Sequence, residues 1–226
     1  MNTVFEDLLE PVQGLIVEGL TLLCSKPKEG KSWLALQMCC AVANGRQFLG
    51  LPTDQGDVLY MGYEDTWRRL QDRLKVMHEK SGGCANGELH LTTSGLDSES
   101  ELLDGLKSWV ERMQRPRMIV IDKLQSCLCQ MDANYSVLRK FRKFAKDHHI
   151  ALVLVHDLGK SKASNPFKRI IGSTRLLAYA DSAVLLLREW NSRDARLQFA
   201  GEDIIAGEIA LCWDDRYWKA VQEEED

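Results

Sequence analysis

The sequence predicts an α/β fold of three layers: a mainly parallel central sheet, helices on both of its faces, and antiparallel strands at its C-terminal edge. Three observations predict it. Short apolar runs alternate with longer amphipathic stretches, the order expected of strand–helix repeats. The runs are continuous, as in Leu20–Cys24 (LTLLC), Met118–Asp122 (MIVID) and Ile150–His156 (IALVLVH). A strand covered on both faces has that pattern. From Ala183 onward, short apolar runs follow one another without a helix between them, as edge strands joined by turns do.

Each element follows in order. Leu20–Cys24 is a buried strand. Lys31–Asn44 is helical, lined by Leu34, Leu36, Met38, Ala41 and Val42 and stopped by Gly45. Asp57–Tyr63 (DVLYMGY) is a strand. Thr66–Lys80 is a charged amphipathic helix with Leu70, Leu74 and Met77 inward. Leu89–Thr92 is a short strand. Ser98–Met113 is a helix capped by Ser98, with Glu101 three residues on at capping-box spacing. Met118–Asp122 is a strand, Ala133–His148 a helix and Ile150–His156 a strand. In that helix Leu138, Phe141 and Phe144 share one face, so the charges of Arg139–Lys146 read as a solvated face. Ala183–Leu187 opens the β-rich end, with further strands near Leu197, Ile209 and Trp218. The chain reads as a single domain over residues 1–226, with 1–13 an N-terminal extension and 222–226 an acidic tail.

Composition excludes several classes. A chain of 226 residues buries a full core without metals or disulfides. Apolar residues at 45% and charged residues at 27% mark an ordered globular protein. No apolar run approaches the ~20 residues of a membrane span, so no membrane partner is expected. Glu6, Asp7 and Glu10 stand where a secretion signal has basic residues, and a cytoplasmic location is expected. The seven cysteines are an odd number, and Cys24, Cys39, Cys40 and Cys212 lie in apolar runs, which suits reduced thiols. Cys127 and Cys129 lack the second pair that a zinc site needs. The net charge of −4 gives no support for general nucleic-acid binding, so any basic site is a local patch.

The strongest motif is Ser25-Lys26-Pro27-Lys28-Glu29-Gly30-Lys31-Ser32, followed by Trp33, between a buried strand and a helix. A phosphate-binding loop belongs there: backbone N–H groups and a helix N-terminus cradle phosphates. Lys31 would reach the β- and γ-phosphates and the Ser32 hydroxyl would ligate Mg²⁺. Ser25 holds the place of the opening glycine. Asp122, ending an apolar strand, puts a second Mg²⁺ ligand at the same sheet edge. Glu64, in Tyr63-Glu64-Asp65, is the candidate base that polarises an attacking water, while Asp65 or Thr66 caps the next helix. His156, at another strand end, is the candidate sensor of the γ-phosphate. The loop from Gly159 to Arg169 is locally basic through Lys160, Lys162, Lys168 and Arg169, and suits a nucleic-acid backbone or a solvated loop.

The set Gly30-Lys31-Ser32, Tyr63-Glu64-Asp65, Ile121-Asp122, His156 and Gly172-Ser173-Thr174 resembles, in order and spacing, the RecA-like P-loop ATPases of the plasmid replicative helicase (RepA-type) group. The stretches KPKEGKSWLALQ, GDVLYMGYEDTWRRLQDRL and DSAVLLL look like that group as well, and the likeness runs from Gly14 to Val221. It implies a RecA-like core that hydrolyses Mg-ATP. It also implies a hexameric ring around single-stranded DNA, ATP at subunit interfaces, and a bacterial plasmid, phage or integrative element as the source. The sequence departs from the group at five places. Lys123 stands for the Thr that follows the strand-end Asp, and Asp157 for a second His. Gly159 replaces a basic residue, Glu202 the Arg of a Gly-Arg-Asp triplet, and Ile171 an Arg before the Gly-Ser turn. Arg175 and Arg169 are the nearest replacements for a catalytic arginine, which neutralises transition-state charge in phosphoryl transfer.

The resemblance implies a helicase-like motor in DNA replication or maintenance of a mobile element. The alternative is an ATP-dependent switch that regulates a partner with weak or no hydrolysis, favoured by the acidic net charge and by Glu202. A small-molecule kinase fits less well, because no Arg-rich lid is present and Glu64 suits water activation.

Overall fold

The computed structural model describes residues 7–81, 89–94, 98–124, 136–159, 163–170 and 173–221. Its strands are β1 (Gly19–Ser25), β2 (Asp57–Gly62), β3 (Leu89–Thr92), β4 (Pro116–Asp122), β5 (Ala151–Asp157), β6 (Ser182–Arg188), β7 (Asp194–Gly201), β8 (Gly207–Asp214) and β9 (Tyr217–Ala220). Among the described residues the helices are α1 (Lys31–Asn44), α2 (Trp67–Ser81), α3 (Glu99–Arg112), α4 (Ser136–Asp147) and α5 (Ser173–Tyr179), with a 3-10 turn at Pro166–Arg169. The strands form one sheet in the order β3-β2-β4-β5-β1-β6-β7-β8-β9. From β3 to β6 neighbours are parallel; from β6 to β9 they form an antiparallel meander. The predicted fold class is the observed one.

Two apolar layers hold the sheet. One contains α1 with Leu70 of α2, Val153 and Val155 of β5, and Trp218 of β9. The other contains α3 and α4, through Leu102, Leu106, Phe141 and Phe144, with Leu152 and Leu154 of β5. Alternate residues of β5 thus feed opposite layers, as side chains on a strand must. Helix α1 is buried nearly all round, because β9 and α2 cover the side that the sheet does not. Gly45 closes it in the left-handed region with φ 62°, its N–H on the Ala41 and Val42 carbonyls. Ser98 caps α3 by accepting from the Glu101 N–H.

Several boundaries differ from the sequence expectation. β2 ends at Gly62 rather than Tyr63, and β5 extends to Asp157 because the Leu158 N–H bonds back to the Ser25 carbonyl at 2.8 Å. The inward face of α2 carries Val76 besides Leu70 and Met77, while Leu74 is half-buried at the margin. The expected start of α4 at Ala133 falls outside the described residues, as do Cys127, Cys129 and the tail 222–226. Within the stretch expected to be an extension, Val12 is fully buried and bridges to Ile16 and Thr53. Among the described residues no helix is long and apolar enough to cross a membrane.

Candidate functional site

Parallel strands bring their carboxyl ends to one edge, where open α/β sheets place their ligands. Here that edge gathers Ser25 of β1, Gly62 of β2, Asp122 of β4 and Asp157 of β5. The loop from Lys26 to Gly30 leaves β1 and turns at once into α1. Gly30 takes φ 97°, a value that favours glycine. Its carbonyl accepts the Leu34 N–H at 3.0 Å and the Trp218 indole N–H at 3.2 Å. Glu29 folds back on the loop, accepting the Lys26 N–H at 3.1 Å. Burial raises the pKa of its carboxyl, against the pull of Lys26. Lys26, Pro27 and Lys28 are exposed. Ser25, expected to bind phosphate, is fully buried, with its hydroxyl on the Lys26 carbonyl at 2.8 Å.

Lys31 heads α1 and is buried, its ammonium 2.6 Å from Oδ1 of Asp157. The other carboxylate oxygen of Asp157 takes the Lys123 ammonium, also at 2.6 Å. Lys123 in turn lies 3.7 Å from the carboxylate of Glu64, which is more than half exposed. Burial works against ionisation of Asp157, but the two lysines outweigh it and hold its carboxyl below the usual range. Burial also opposes the charge on Lys123, and Asp157 more than restores it.

A second chain of contacts runs beside the first. The Ser32 hydroxyl bonds to the Asp122 carboxylate, which also accepts the Tyr60 hydroxyl at 2.7 Å. Burial raises the pKa of Asp122, and these two hydrogen bonds pull it partly back. Asp65, with its side chain 5% exposed, takes Arg73 at 2.6 Å and Arg69 at 3.3 Å. The cap of α2 is therefore Thr66, whose hydroxyl accepts the Arg69 N–H, and not Asp65. Ser32 and Asp122 offer hard oxygen donors at a buried, negatively charged point. Mg²⁺ takes such sites, with one or two carboxylates and phosphate oxygens completing its shell.

Expectation and structure part at His156. β5 alternates, and His156 stands on the face of Leu152 and Leu154, 2% exposed, with the α4 layer. The polar residue that β5 delivers to Lys31 is Asp157, one position on. Lys160 and Lys162 fall outside the described residues. Lys168 and Arg169 lie in the 3-10 turn, where the Arg169 guanidinium donates to the Ala163 carbonyl at 2.8 Å. Arg175 falls in α5, at a position described by its backbone.

Two cavities flank the loop. One of about 290 Å³ is lined by Lys28, Lys31, Ser32, Trp33, Arg73 and Trp213. The Arg73 guanidinium sits 5.4 Å over the Trp33 ring, and Trp33 meets Trp213 edge-on at 6.1 Å. The other, about 730 Å³, opens on the far side and includes Lys26, Glu29, Arg169, Arg188 and Arg196. It is the larger, but Lys31 and Ser32, whose hydroxyl bonds to Asp122, line the smaller. Tyr60, Arg73, Trp213 and Trp218 were not foreseen from the sequence. The aromatic trio left a signal only in its residue type, and Arg73 only in its distance from Glu64.

Residues 5–163 match the family model described as an AAA domain. The chain belongs to this AAA domain family. It is a nucleotide-binding ATPase, and its fold is RecA-like. A KaiC-like protein from the hyperthermophilic archaeon Pyrococcus horikoshii OT3 is similar in structure, with a TM-score of 0.62 over 94% of each chain and 15% sequence identity. At that identity the likeness shows the fold. A search of curated protein sequences finds no match. The AAA domain match covers the phosphate-loop segment, Glu64, Asp122 and Asp157, and stops within the basic loop.

Proposed function

We propose that this AAA domain protein binds Mg-ATP at the carboxyl edge of its sheet and hydrolyses it, as a helicase-like motor in DNA replication or maintenance of a mobile element. The observation that carries the nucleotide reading is that the first two residues of α1 meet the sheet's carboxyl edge, the buried Lys31 at Asp157 and the Ser32 hydroxyl at the buried Asp122. In this reading the loop amides and Lys31 hold the phosphates. Ser32 and Asp122 would hold Mg²⁺, which would supply charge neutralisation to the phosphates. Glu64, the exposed carboxylate at the same edge, orients the attacking water and accepts its proton. Arg73 and Trp213 offer planar faces for a base next to Trp33. Single-stranded DNA at the basic loop and a homohexameric ring belong to the motor reading. Lys168, exposed in the 3-10 turn, supports the DNA contact.

A second reading, an ATP-dependent switch with little turnover, is favoured by one observation. Glu64 faces Lys123, a cation that competes with water for its carboxylate. Steady-state hydrolysis with and without single-stranded DNA separates the two. The motor requires turnover that DNA stimulates and that Glu64→Gln lowers by about 10²-fold or more. Binding with no DNA-stimulated turnover replaces the motor by the switch. Lys31→Ala abolishes nucleotide binding in both, and unchanged binding by that variant refutes the site.

A further inference from the structure

We propose that Lys123 is a second phosphate-gripping cation, supplied by the same chain, that takes the terminal phosphoryl group of a nucleoside triphosphate together with Lys31 and so distinguishes triphosphate from diphosphate. The proposal rests on the nucleotide-site reading above.

The geometry carries it. Asp157 presents one oxygen to Lys31 and the other to Lys123, each at 2.6 Å. Two ammonium groups from different segments, the head of α1 and the residue after β4, therefore converge on a single small anion. The three side chains are sheltered, at 8%, 19% and 12% exposure for Lys31, Lys123 and Asp157. Bringing two cations together in a sheltered place is unfavourable unless an anion lies between them, and charge-assisted hydrogen bonds to that anion are strong there. The carboxylate of Asp157 fills that role. A phosphoryl group has oxygens at a similar spacing and carries more negative charge, so it fits the same pair of donors. The phosphate-loop lysine serves the β- and γ-phosphates, and Lys123 also reaches Glu64, the carboxylate assigned to the attacking water, which places the anion shared by the two lysines at the γ end.

Two consequences follow from the same contacts. Asp157 competes with the phosphate, because a triphosphate reaches Lys31 and Lys123 only as the carboxylate gives them up. Lys123 also draws Glu64 to the γ end, since its ammonium lies 3.7 Å from that carboxylate. A purely structural Lys123, serving only as counter-ion to Asp157, predicts otherwise: its loss would alter stability or weaken both nucleotides alike.

The test is calorimetric titration of the full chain with ADP and with the non-hydrolysable triphosphate AMP-PNP, each with Mg²⁺. Lys123→Ala is expected to weaken AMP-PNP by about tenfold or more, the size of one charge-assisted hydrogen bond, and to leave ADP within about twofold. Lys123→Arg is expected to keep the wild-type ratio of the two affinities, and Asp157→Asn to raise AMP-PNP affinity over ADP. If Lys123→Ala melts below the working temperature, Lys123→Gln takes its place. An unchanged AMP-PNP to ADP ratio in the neutral variants overturns the role of Lys123 while the nucleotide site stands. A wild-type protein that binds neither nucleotide overturns both.

Discussion

Asp181 shows how much a single buried carboxylate can be asked to do. Its side chain is 1% exposed, yet it accepts the Leu20 N–H at 2.9 Å and pairs with Arg142 at 2.6 Å and Lys146 at 2.8 Å. Burial opposes its charge, and these partners outweigh burial, so its carboxyl titrates below the usual range. The sign of the linkage follows. The folded pKa is depressed, so the contribution to stability is complete above the unfolded value near about 4 and is lost as pH falls below it. Asp181→Asn is expected to cost roughly 2 kcal/mol at neutral pH, since its cations keep partial access to water. Urea melts should show the difference from wild type shrinking below about pH 4; a difference that is flat with pH refutes the account. The same residue scale explains what the sequence could and could not tell. Lys31, Ser32 and Asp122 were legible because each sits in a motif with a fixed position relative to a strand or helix. Asp157 was visible only as a departure beside His156, because a one-residue shift along a strand exchanges the two faces of the sheet. Letters without register do not say which of two neighbours meets Lys31. In sequence Tyr60 reads as one more apolar strand residue, and only the fold brings its hydroxyl to Asp122.

At the scale of elements, the join between α1 and β9 governs the phosphate loop. Gln37 donates to the Trp218 carbonyl at 2.8 Å and accepts the Trp218 N–H at 3.0 Å, so one side chain stitches the helix to a strand backbone. The Trp218 ring then lies where a Cβ on Gly30 would come within 3.0 Å of it. Gly30→Ala therefore meets both a positive φ and an aromatic ring, and is expected to cost about 2–3 kcal/mol, or roughly 5–10 °C in Tm. A thermal melt within two degrees of wild type contradicts this. Trp218→Ala should be worse, at about 3–5 kcal/mol, because it empties a fully buried volume. Element types were legible from periodicity: α1, α3 and β3 lie close to where the pattern puts them. The charged run of α4, read as a solvated face, is one at the exposed Lys140 and Lys143, which pair with Glu99 and Asp147, whereas Arg142 and Lys146 turn to the buried Asp181. What periodicity cannot give is the partner of each face, so the pattern points to Leu74 where the packing buries Val76. The cluster around Val12 shows no period at all, because a turn packs its side chains by contact and not by repeat.

For the whole molecule, the sheet order decides where chemistry can occur. Placing β1 between β5 and β6 sets the phosphate loop beside Asp157 on one side and beside the meander β6–β9 on the other. Strand order was not legible from the sequence, because local patterns specify each strand but not its neighbours. Only the distinction between covered strands and edge strands was visible, through continuous as against interrupted apolar runs. Separation along the chain adds a last consequence. The bond from the Trp218 indole to the Gly30 carbonyl spans 188 positions. Contacts so distant in sequence pay a large loop-closure entropy and form late, after local helices and hairpins. During synthesis the phosphate loop therefore spends the whole passage from α1 to β8 without the ring that supports it. Nucleotide affinity is then a clock of completion: a chain halted before Tyr217 should form much of the sheet yet bind nucleotide poorly, and the arrival of β9 should switch binding on.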